Sequence, residues 1–140
     1  MHLGLAQLLS FYERNRNERH LVLVTVVAIE GSSYRKPGAL MLIGPDDTFQ
    51  GMVSGGCLEQ DLALRAREVF ENGQATRFTY DLRDEDEAPW GLGLGCNGVI
   101  HLMLQRLDRD TGFGFLPFLA AALKNRLPCV LDLVIETANS

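Results

Sequence analysis

An α+β domain built on one sheet is what this sequence predicts, and three observations predict it. Helix-like and strand-like stretches mix along the chain without the strict alternation of a doubly wound fold. The run Leu21–Ile29 (LVLVTVVAI) is β-branched and shows no polar alternation, the pattern of a strand buried on both faces. Elsewhere apolar residues recur at helical spacing, enough for about three helices. The sheet is expected to be mixed in direction, with glycine-rich loops converging at its strand ends.

His2 to Arg16 places Leu5, Leu8, Leu9 and Tyr12 on one helical face, with charge collecting towards its end. Leu21–Ile29 is the first strand, and 31–38 is a loop. Ala39–Ile43 and Thr48–Ser54 read as two strands joined by the turn Gly44-Pro45-Asp46-Asp47. A second helix begins near Cys57. Its apolar face is Leu58, Leu62, Ala66, Val69 and Phe70, Asp61 and Arg65 pair one turn apart, and Gly73 ends it. Thr76–Tyr80 alternates as a strand with Phe78 and Tyr80 on one side. An acidic and then glycine-rich loop runs from Asp81 to Gly98, and Val99–Leu107 is the next strand. The third helix presents Phe115, Leu119, Ala122 and Leu123, with Pro117 in its first turn. Cys129–Ile135 is expected to be a last, buried strand, with Cys129 in the core.

The totals narrow the function. At 140 residues the chain fits one domain, 1–140, able to bury a core without disulfide or metal staples. Its formal charge of −5, with scattered basic residues, argues against non-specific nucleic-acid binding, which needs a dense cationic face. Three cysteines make no disulfide framework, no basic leader with an apolar core opens the chain, and Leu21–Ile29 is too short to span a bilayer. The expected compartment is the reducing cytoplasm.

Eleven of the fourteen glycines lie between Gly31 and Gly98, mostly in three loops, which suggests backbone brought close to a ligand. The first loop, GSSYRKPG, sets Ser32, Ser33, Arg35 and Lys36 beside exposed backbone N–H groups, the parts of an anion site. It lacks the GK[ST] ending of a Walker loop, and alone it would read as a solvated turn. The second, Ser54-Gly55-Gly56-Cys57, precedes a helix, where the dipole favours anions and lowers a thiol pKa. Cys57 is therefore a candidate nucleophile, sulfur carrier or soft ligand, against the alternative of a small buried residue. Glu59 is either a favourable partner of the helix dipole or an acid/base group beside the thiol. The third loop, GLGLGCNG, ends in Gly95, Cys96 and Asn97. It precedes a strand, so it is no dinucleotide fingerprint. Cys96 lies 39 positions beyond Cys57, which excludes a CxxC pair. His2, His20 and His101 do not form a convincing metal set, and His101 reads as a half-buried strand residue.

Taken together, GSSYRKPGALMLI, GMVSGGCLEQDL and FTYDLRDEDEAPWGLGLGCNGVIHLMLQRL resemble the N-terminal domain of the xanthine dehydrogenase accessory (XdhC/CoxI-type) family over roughly Leu21 to Leu107. The resemblance implies a chaperone, more a binding module than an enzyme, that binds the molybdenum cofactor (molybdopterin), protects it during sulfuration and delivers it to an apo molybdenum hydroxylase such as xanthine dehydrogenase or carbon monoxide dehydrogenase. It draws the site from Ser32, Ser33, Arg35, Lys36, Ser54, Gly55, Gly56, Cys57, Glu59, Gly95, Cys96 and Asn97. It also implies a cysteine desulfurase as a partner and self-association, with Val99–Leu107 or Cys129–Ile135 as an exposed edge. The family's second, Rossmann-like domain has no counterpart in these residues. Two other functions compete: a thiol-dependent enzyme or sulfur carrier using Cys57, and a docking domain for a partner dehydrogenase.

Overall fold

The computed structural model describes residues 3–32, 36–54, 56, 58–83 and 97–129. Helix α1 (Leu3–Arg14) leads into the long strand β1 (His20–Ser32). Strands β2 (Leu40–Ile43) and β3 (Phe49–Gly51) form a hairpin across the short turn Pro45–Asp47. Helix α2 (Glu59–Asn72), β4 (Thr76–Asp81), β5 (Asn97–Asp108) and α3 (Leu116–Lys124) complete the order. The sheet runs β3-β2-β1-β5-β4. Among the described residues, class and helix count match the sequence reading, but every pairing is antiparallel, so the expected mixed sheet is corrected.

The unbroken apolar run of β1 is explained by two cores. Val22, Val24 and Val26 join Ile100, Leu102 and Leu104 beneath Leu58 and, on α2, Leu62, Ala66 and Val69. Leu21 and Leu23 point the other way, to Leu8, Leu9, Phe11 and Tyr12 of α1 and to Phe113 and Leu116. A central strand covered on both faces has no solvent side to mark with polar residues. Asp61 and Arg65 pair at 2.8 Å on the outer face of α2. The Arg65 guanidinium lies 3.9 Å from the Phe78 ring centroid, and the Tyr80 hydroxyl donates to Asp61. Burial first, and the Asp61 carboxylate second, push the Tyr80 phenol well above its ordinary range. Gly73 closes α2 in the left-handed region at φ 71°, as predicted.

Three expectations are corrected. Cys129 is exposed and outside any strand, because the chain leaves α3 across the surface; the rest of 129–135 lies outside the described residues. Leu123 is 37% exposed, and the buried anchor of α3 is Leu116. Val99–Leu107 falls within β5, an inner strand hydrogen-bonded on both sides, so it offers no free edge. Among the described residues no helix is long and apolar enough to cross a membrane.

Thr25 is an irregularity in this core. It is 5% exposed, and its hydroxyl has no partner among the described residues. A buried hydroxyl without a partner forfeits its bond to water. Thr25→Val, which keeps the shape, should therefore raise the unfolding free energy by about 1 kcal/mol in urea titrations. A loss of stability would contradict this account.

Candidate functional site

The strands that flank the three glycine-rich motifs begin or end at one end of the sheet. β1 runs up to Ser32, β5 starts beside it at Asn97, and the two residues are cross-strand partners. β4 ends at Asp81 opposite Val99. β2 starts from the same end, and β3 ends there at Gly51, leading into Ser54–Glu59 and the first turn of α2. The first and third motifs thus meet across a strand pair, and the second comes directly after the adjacent hairpin.

The register shifts between Val26 and Ala28, marking a bulge in β1. Beyond it, β1 continues with β5 and β4 past the start of β2, whose Leu40 pairs with Thr25. A bulge adds a residue to one strand and re-aims the backbone beyond it. The chain returns at Lys36, whose carbonyl accepts from Ala39 N at 3.1 Å, while Gly38 N donates to the Val26 carbonyl at 2.8 Å. On this extension His101 is held at both nitrogens, by Glu30 at 2.7 Å and Thr79 at 2.9 Å, a half-buried strand histidine as expected.

The described part of the second loop is organised by Glu59, which is 3% exposed. Its Oε2 accepts from Val53 N at 2.8 Å and Ser54 N at 2.9 Å. Its Oε1 accepts from Ser54 Oγ at 2.6 Å, Gly56 N at 3.1 Å and Leu58 N at 3.3 Å. Leu58 N also reaches Ser54 Oγ at 3.1 Å. Gly56 takes φ 113°, a conformation that favours glycine. The sequence suggests a dipole partner or an acid/base group at Glu59 and does not disclose this set of bonds. The available signal was a serine ahead of a helix with a glutamate in its first turn, a relative of the capping box.

Of the predicted site residues, Ser54 is buried, Gly56 and Lys36 are exposed, and Glu59 lies at the start of α2. Ser32 and Asn97 are placed by their backbones at the paired ends of β1 and β5. Ser33, Arg35, Gly55, Cys57, Gly95 and Cys96 lie outside the described residues.

Asp81, where β4 leaves the sheet, takes the Arg83 side chain at 3.0 and 2.9 Å and the Arg83 N–H at 3.1 Å. The Arg83 side-chain bonds first, and the backbone N–H second, hold this exposed carboxyl down at about 2 from the ordinary 3.8. A lowered acid pKa means the turn is supported above about 3.8 and loses that support as pH falls through about 2. Carbon-detected NMR should show Asp81 titrating near 2, and Arg83→Ala should return the midpoint towards 3.8. A wild-type midpoint already at 3.8 would refute the turn.

A cleft of about 570 Å³ lies at the opposite end of the sheet, bordered by Glu18, His20, Asp47, Arg67 and Phe70 among others. Its lining mixes both charges, and several members are already paired. Asp47 binds Arg67, and His20 holds Asp108 at 2.7 Å. The strands flanking the three glycine-rich motifs begin or end at the other end of the sheet, which is therefore the candidate site.

Residues 15–81 match the XdhC and CoxI family, a stretch that includes β1, the 31–38 turn and Ser54–Glu59. The chain is 40% identical over 94 residues to a probable xanthine dehydrogenase subunit from Bacillus subtilis (strain 168), covering 67% of this chain and 28% of that protein. It is 38% identical over 87 residues to the molybdenum cofactor insertion chaperone PaoD of Escherichia coli (strain K12), covering 61% and 26%. The crystal structure of a xanthine dehydrogenase from Bacillus halodurans matches with a TM-score of 0.66 at 38% identity, covering 81% of this chain and 35% of that one. The chain thus spans less than a third of the length of these curated relatives.

Proposed function

The chain carries an XdhC and CoxI family segment at residues 15–81, and from that premise we propose that it serves the maturation of molybdenum hydroxylases by holding the molybdenum cofactor as cargo for an apo-enzyme. The observation that supports this reading is that the strands flanking all three glycine-rich motifs begin or end at one end of an antiparallel sheet. The donor set suits such a cargo. A molybdopterin has a phosphate for cations and backbone amides, and an oxidation-prone dithiolene head for an environment of thiols and shielding glycines. In this reading Ser32, Ser33, Arg35 and Lys36 receive the phosphate. Cys57, Cys96, Asn97 and the glycines around them enclose the head. The relative named as a cofactor insertion chaperone supports the role.

The test is retention. The chain, purified from cells able to make the cofactor, should carry molybdenum and a pterin, measured by elemental analysis and by fluorescence of the oxidised pterin. Cys57→Ser should lower both while leaving the far-UV spectrum unchanged. A folded wild-type chain free of both would remove the reading.

A further inference from the structure

We infer that Glu59 is a positioning residue whose carboxylate fills, from within the chain, the anion seat formed by the backbone N–H groups of Val53, Ser54, Gly56 and Leu58, closing that seat to the anionic end of a ligand. Four backbone N–H groups and one hydroxyl converge on it at 2.6–3.3 Å. Converging amides ahead of a helix are the ordinary composition of a phosphate or carboxylate site. Here the anion is covalently attached. Val53, Ser54 and Leu58 are at most 1% exposed, so their N–H groups have no water to fall back on.

This arrangement has two consequences. A carboxylate offers about four lone-pair sites. With two donors on Oε2 and three on Oε1, none is left to take a proton from a substrate. Glu59 therefore shapes the segment on either side of Cys57 and does no acid/base work. Second, a ligand phosphate would have to displace a tethered carboxylate and lie beside its charge. This step rests on the cofactor reading above: the phosphate is directed to the 31–38 turn, where Lys36 stands exposed, and the 53–58 segment is left for the uncharged or sulfur-bearing part.

The experiment needs no cofactor, so it stands apart from the retention test. In wild-type protein, titration with inorganic phosphate should leave the amide resonances of Val53, Ser54, Gly56 and Leu58 unmoved; a saturable shift of these four would overturn the proposal. Glu59→Ala should melt lower than wild type and recover with acetate or phosphate, but not with sodium chloride of equal ionic strength. A folded Glu59→Ala without anion-specific recovery would also overturn it. Glu59→Gln keeps the volume but loses the charge and part of the acceptor capacity. Its amides at 53, 54 and 58 should exchange about tenfold faster than in wild type. Equal exchange would mean that the carboxylate does not hold the loop.

Discussion

Replacing Gly51 by alanine is expected to cost about 3 kcal/mol or more of unfolding free energy, with loss of order in the segment that comes after it. Gly51 ends β3 at φ 108°, where side-chain-bearing residues are strained. An added Cβ would also stand 2.6 Å from the Leu40 carbonyl oxygen and 2.9 Å from Met41 Cα. Both are backbone atoms of the paired strand β2, and neither can swing aside. Relief requires β3 to lift from β2, and Ser54–Glu59 hangs from that strand. Gly56→Ala separates the two causes. Its φ is 113°, but its Cβ would meet nothing within 4 Å, so only the strain of about 1–2 kcal/mol applies. Urea unfolding of both variants checks this. Equal losses would show that the close approach to β2 contributes nothing.

The second large effect belongs to the core. Leu102 is fully buried at the middle of β5, paired on one side with Val26 of β1 and on the other with Phe78 of β4. Leu102→Ala removes three heavy atoms where strands on both sides limit collapse, so about 3–5 kcal/mol should be lost. Leu64→Ala, at a residue 52% exposed on α2, should change stability by less than about 0.5 kcal/mol. Comparable losses in the two variants would contradict the core as described.

Local features of this fold were legible, and non-local ones were not. Leu21–Ile29 announced a strand that is doubly covered as far as Val26, though Ala28 beyond the bulge is exposed, Gly73 the end of α2 and Pro117 the first turn of α3, because each depends on a few adjacent residues. Strand direction depends on partners far along the chain, so the antiparallel sheet and the inner position of β5 were not apparent. Cys129 was misread for a related reason: an apolar run predicts burial only where another element arrives to cover it. At the candidate site the glycine loops drew attention, but their meeting place is set by β1 pairing with β5. The role of Glu59 was hidden because it is exercised on backbone amides, which no residue letter reveals.

The extra residue at the β1 bulge acts as a change of phase. Val26 and Ile29, an odd number of residues apart, pair with Leu102 and Ile100, an even number apart. Parity counted from the core half of β1 therefore gives the wrong face from Ala28 to Glu30. Excising Val27 would restore regular pairing and, with the partners on β5 kept, leave the facing of the strand segment that leads to the first glycine loop as it is. A graft of this loop onto another sheet would have to be aligned by these cross-strand partners and not by counting residues from Val26.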